Sequence, residues 1–135
     1  MKPIKISLMT VALVLFTFAL VGWNTNEKDS DTTAKENVII LLKFKAQAEK
    51  GDQTIAALEK LFAEVKKEPN YVSIKLHVDP NDNTNILLYE EWEDLGYYNG
   101  EHMTTEHLQA FMAASSNFLA GPPDISVWEV KGVFK

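Results

Sequence analysis

Leu87-Leu88-Tyr89-Glu90-Glu91-Trp92 is followed by His102, by Thr104-Thr105-Glu106-His107-Leu108 and by Phe111. Imidazoles and carboxylates are the side chains that exchange protons near neutral pH. The leucines and rings interleaved with them are of the kind that wall a small ligand pocket. Their order places Glu90, Trp92, His102 and His107 at a strand-to-helix junction, where such a pocket could hold a substrate. Its volume would depend on how Leu88, Phe111, Met112, Leu119 and the Tyr97-Tyr98 segment pack.

Each of these residues also has a plainer reading. Trp92 at a strand end suits core packing, His102 could be a satisfied or solvent-exposed histidine, and His107 stands one turn from Phe111, which favours packing. Tyr97 and Tyr98 lie between Gly96 and Gly100, a segment that either closes over a pocket or forms an ordinary loop. Glu101-His102 and Glu106-His107 repeat one dipeptide, but helical metal pairs want a spacing of three or four, and five turns the second side chain off the first face. That objection weakens if His102 precedes the helix.

The elements that must position these groups follow from periodicity. Val38 to Phe44 is almost continuously aliphatic, as in a strand covered on both faces. Ile55, Leu58, Phe62 and Val65, with Leu61 beside them, give a helix from about Gln53 to Lys67, which Glu68-Pro69-Asn70 ends. Strict alternation from Tyr71 to Val78 turns Val72, Ile74, Leu76 and Val78 one way and Tyr71, Ser73, Lys75 and His77 the other. His77 then falls on the surface or at a dimer face. Pro80-Asn81-Asp82-Asn83 makes a turn and Asn85 to Trp92 the returning strand, with Ile86, Leu88, Glu90 and Trp92 on one face. A helix from about Thr105 to Leu119, N-capped by Thr105, and a last strand from Ile125 to Val133 complete the chain. This is the βαββαβ order of an α+β, ferredoxin-like fold, a four-stranded antiparallel sheet with two helices on one face. The other face, with Ile39 and Leu41 or their alternates, Tyr89 and Trp128, is too apolar for open water. A homodimer packed sheet against sheet would cover it.

The 135 residues allow one domain. Lys2 and Lys5 before an apolar run from Ile6 to Val21, with Gly22 after it, read as a signal peptide over residues 1–23, or as an uncleaved membrane anchor. Residues 24–36, NTNEKDSDTTAKE, form a polar linker, and 37–135 the folded domain. The leader implies export, periplasmic or secreted. A net charge of −6 argues against nucleic acid as a partner. The chain has no Cys, and every basic residue is Lys, so thiolate chemistry and guanidinium clamps are both excluded.

Several features together resemble the antibiotic biosynthesis monooxygenase (ABM) superfamily, the quinol-monooxygenase-like members of the dimeric α/β barrel group. Glu68-Pro69-Asn70-Tyr71 stands where the family typically has Glu-Pro-Gly before the second strand. Tyr89-Glu90-Glu91-Trp92 resembles its strand-ending Glu-x-Trp. His102, His107 and Phe111 are similar to its His, five residues to a second His and four to a Phe.

The resemblance implies an oxygenase without metal, flavin or haem, whose partners are dioxygen and a small quinol or phenolic substrate that is itself the electron source. It makes His102 the candidate base, His107 a group that orients substrate or shares the proton, and Trp92 a flat wall with one indole donor. Glu90 would orient a histidine or raise its basicity, and Leu88, Tyr97, Tyr98, Phe111 and Met112 would contact substrate. The interval from Trp92 to His102 is about one residue longer than the family's commoner spacing, which could turn His102 elsewhere. With no Arg, members that orient substrate by Arg are no guide. Haem degradation is a minor alternative, because its Asn, Trp, His constellation does not map onto this chain. The other alternative is a non-catalytic barrel that binds a small aromatic or apolar ligand.

Overall fold

The computed structural model describes residues 36–135; the leader and all but the last residue of the linker lie outside the described residues. Among the described residues, four strands and three α-helices occur in the order β1 (Val38–Lys45), α1 (Gly51–Val65), β2 (Tyr71–Asp79), β3 (Asp82–Trp92), α2 (Leu95–Asn99), α3 (Glu106–Ala114) and β4 (Asp124–Glu129). The antiparallel sheet has strand order β2-β3-β1-β4. The ferredoxin-like expectation is met, with the short α2 added to it.

Ile40 pairs with Glu90, Leu42 with Leu88 and Phe44 with Ile86, and with Trp92 these residues are buried against Leu58 and Val65 of α1. The alternation therefore sends Ile86, Leu88, Glu90 and Trp92 to the helix face as predicted. Ile39, Leu41, Tyr89 and Trp128 take the opposite face, where Ile39 lies opposite Trp128 and Leu41 opposite Tyr89. Trp128 is 55% exposed there, and His77 and Lys75, whose ammonium stands 5.0 Å from the Tyr89 ring centre, share that face.

Three expectations need correction. A register shift between Tyr71 and Ser73 lets Tyr71 pair with Trp92, their rings 6.0 Å apart, while Val72 is exposed. A bulge adds one residue, so strict alternation fails at that strand's first turn. The second long helix stops at Ala114, short of Leu119, and a 3₁₀ turn over Ser115–Asn117 brings Phe118 into the core. The last strand stops at Glu129 because its partner there, Val38, begins β1; Val133 and Phe134 are exposed instead.

Two turns fix the ends of α1. A Cβ on Gly51 would sit 2.5 Å from the Asn83 side chain and 2.6 Å from its carbonyl oxygen, so only glycine admits the close approach of the β2–β3 hairpin. After α1, Asn70 adopts φ 64, the left-handed region that glycine or asparagine enters most readily, and its carbonyl accepts from Glu93 N at 2.8 Å. Asn70→Val will lower stability by about 1–2 kcal/mol and Asn70→Gly will hold or raise it, as read from urea midpoints; equal losses would show that the side chain, not the backbone, matters there.

Candidate active site

Beyond α1 the chain tightens, with Glu68 N donating to Val65 O at 2.9 Å, and then reverses at Pro69-Asn70 beside the end of β3. This reversal carries the Glu68 side chain inward until it is 5% exposed. Its carboxylate accepts from three side chains. His102 Nδ1 lies 2.9 Å from Oε2 and 3.1 Å from Oε1, His107 Nε2 lies 2.5 Å from Oε1, and Tyr97 Oη donates to Oε2 at 3.1 Å. A carboxylate offers about four lone-pair sites and no proton, so each imidazole presents an N–H to it.

Local structure supplies these donors. Asp94 caps α2 by accepting from Tyr97 N at 2.8 Å, which holds Tyr97 over Glu68 and turns Tyr98 inward. The chain then makes a 3₁₀ turn over His102–Thr104, and the hydroxyl of Thr105 donates back to His102 O at 2.8 Å. Thr105 thus occupies the N-cap position of α3 without capping it by side chain, contrary to the sequence expectation. The His102 ring lies between Tyr98, stacked at 5.1 Å, and Trp92, at 4.7 Å. The longer interval after Trp92 is taken up by α2, so His102 returns to the tryptophan.

Glu90 and Trp92 complete the buried polar set. Trp92 Nε1 donates to Glu90 Oε2 at 3.1 Å. Removal from water, with a smaller contribution from the nearby Glu68 charge, pushes the Glu90 carboxyl up to about 7 against the Trp92 hydrogen bond. Burial and then the hydrogen bond to Glu68 push the Tyr97 phenol up to about 12, and burial with the Glu90 charge raises that of Tyr98. Glu90, Tyr98 and His102 border a cavity of about 700 Å³ between sheet and helices, whose remaining wall is mostly apolar. Because Nδ1 of His102 is committed to Glu68, a neutral His102 has its lone pair on Nε2, the atom left for a bound molecule. The constellation can therefore accept a proton from a hydroxyl or activated C–H in an apolar cage.

Leu88, Glu90, Tyr98, Phe111, Met112 and His102 border the cavity. Trp92 is fully buried behind His102 and forms no cavity wall. Glu90 pairs with the Trp92 indole and makes no bond to a histidine; Glu68 takes that place. Tyr97 turns from the cavity to Glu68, and the Tyr97-Tyr98 segment is the capped helix α2 rather than a loop. His107, 23% exposed, is held by Glu68 as well as lying one turn from Phe111. Sequence reasoning missed Glu68 as a site residue. Its signal was present in Glu68-Pro69-Asn70, a carboxylate fixed where a helix must stop. Among the described residues, no three His, Cys, Asp or Glu side chains form a group suited to a metal ion.

Comparison with solved structures gives the same architecture. A conserved protein from Methanosarcina mazei superposes with a TM-score of 0.65 at 18% identity, covering 73% of this chain and 96% of its own. A Nitrosomonas europaea protein assigned to antibiotic biosynthesis monooxygenases gives 0.66 at 14%, covering 72% and 92%. An antibiotic biosynthesis monooxygenase gives 0.59 at 21%, covering 71% and 98%. None of the curated proteins matches the chain. The family profile for antibiotic biosynthesis monooxygenase spans residues 37–114, most of the folded part, and the chain belongs to that family.

Proposed function

We propose that the protein is an oxygenase in which a phenolic or quinol-like substrate supplies the electrons that reduce dioxygen. One observation carries this reading: His102, fixed at Nδ1 by buried Glu68, borders an apolar cavity that also contains Glu90 and Tyr98. His102 Nε2 removes a proton from the bound substrate, and the anion is electron-rich enough to pass an electron to dioxygen. The substrate radical and superoxide combine to a peroxide. For an anthrone-type methylene, loss of water from that peroxide leaves a carbonyl, so one oxygen atom enters the product and the other leaves as water. Glu90, whose carboxyl titrates near 7, returns the proton the departing oxygen needs. Low polarity keeps the peroxide from side reactions with water.

Oxygen uptake by the purified protein over a panel of hydroquinones and anthrones tests this. His102→Ala will lower uptake by about 10²–10⁴-fold, the range for loss of a positioned base. Uptake no greater than autoxidation, with retained ligand binding, would leave a binding module in its place.

Two further parts of the reading concern the whole molecule. The apolar sheet face bearing Ile39, Leu41, Tyr89 and Trp128 supports a homodimer closed sheet against sheet, and sedimentation will show twice the monomer mass at micromolar concentration. The apolar run from Ile6 to Val21 supports export.

A further inference from the structure

The ionisable side chains of the cavity wall stand at one end. Glu90, Tyr98 and His102 gather near the rung of the sheet where Glu90 faces Ile40. Away from that rung the walls include Phe44, Leu61, Phe62, Leu108, Phe111 and Ile125. Three uncharged polar residues, Gln47, Ser115 and Ser116, also line that part, and the side chains of the first two are turned to the protein's own backbone. Gln47 Nε2 donates to Ser116 O at 2.9 Å and Leu119 O at 3.0 Å, and Ser115 Oγ donates to Met112 O at 2.7 Å.

Length points the same way as polarity. Along β1, Ile40 at the Glu90 rung and Phe44 at the Ile86 rung are separated by four residues, about 13 Å at the usual rise of a strand. That exceeds one aromatic ring, so a bare phenol would fill the polar end and leave the apolar wall wet. Wetted apolar wall is the unfavourable state that an aliphatic chain would relieve.

We infer that the occupant is an amphiphile: a phenolic ring with its hydroxyl between His102 and Glu90, carrying an unbranched aliphatic tail that runs past Ile125, which pairs with Leu42 at the middle rung, toward Phe44. The inference rests on the proposed role of the polar end for its head group.

The test is an equilibrium titration without dioxygen, following Trp fluorescence, of phenol and its para-propyl, para-hexyl and para-octyl derivatives. Affinity will rise about threefold to fourfold for each added methylene that enters the cavity and will then level off. Ile125→Trp, at a half-exposed edge-strand position, will bring that levelling to shorter tails and leave phenol itself unaffected. His102→Gln will weaken every member by one common factor and keep the gain per methylene. Affinity that is flat with tail length overturns the inference, and so does a gain that Ile125→Trp leaves untouched, since the tail would then lie elsewhere. Oxygen uptake is read separately: a stepwise gain without uptake removes the oxygenase reading and supports the tailed ligand, whereas uptake with flat affinity does the reverse.

Discussion

Glu68→Gln will lower stability by about 3 kcal/mol and reduce turnover on the order of a hundredfold or more, although the side chain keeps its shape. The carboxylate accepts from His102, His107 and Tyr97, and hydrogen bonds to a buried charged group contribute about 1.5–3 kcal/mol each. An amide replaces one acceptor oxygen by an N–H donor, so at least one of the three donors loses its partner. His102 has an escape that the tyrosine lacks. It can move its proton to Nε2 and let Nδ1 accept from the amide, which satisfies the pair but presents an N–H where the substrate's proton must go. The change in rate thus comes from the wrong tautomer rather than from lost contact, the effect of replacing the buried Asp by Asn in serine proteases. Urea denaturation reads the first effect, oxygen uptake the second, and ¹⁵N chemical shifts of His102 the link between them. Unchanged stability with Nδ1 still protonated would remove Glu68 as the positioning group.

How much of this was legible in the sequence differs element by element. The alternation of β3 placed Leu88, Glu90 and Trp92 on the helix face because a period of two is a local property. Tyr71 escaped the same logic, since a bulge depends on the partner strand and not on the residues of β2 alone. The helix α2 escaped because Gly96 and Gly100 lower helix propensity, while the cap from Asp94 that stabilises it lies two residues before Gly96. The partner of His102 could not be read at all from spacing. Glu90 and Glu68 are both carboxylates near the sheet end, and the choice between them is made by tertiary geometry: Trp92 occupies Glu90, and the Pro69-Asn70 reversal swings Glu68 under the two histidines. Residue types were readable, whereas pairings separated by more than thirty positions were not.

Glu90→Gln will raise stability at alkaline pH and leave it nearly unchanged in acid. Glu90 has a folded value of about 7 against an ordinary 4.5, because burial penalises its charged form. Below about 4.5 the group is protonated in both states and contributes no pH dependence. Between the two values the folded state binds a proton that the unfolded chain has released, so this group's contribution falls as pH rises. Above about 7 the ionised carboxylate is buried in full and costs about 3 kcal/mol, from the size of the shift. Glutamine keeps the neutral shape and an oxygen for the Trp92 indole at every pH, which removes that cost. Urea midpoints at pH 4.5 and pH 8 will show the variant gaining up to about 3 kcal/mol only at the higher value; parallel profiles would mean that Glu90 does not titrate in this interval. A natural carboxyl that weakens the fold at working pH is difficult to explain by packing, because its uncharged isostere packs as well. Its retention beside His102, on the wall of a cavity that both residues border, is explained if the protein uses the proton. The same variant should then lose a limb of the rate–pH profile near 7, a change that a purely structural Glu90 would not produce.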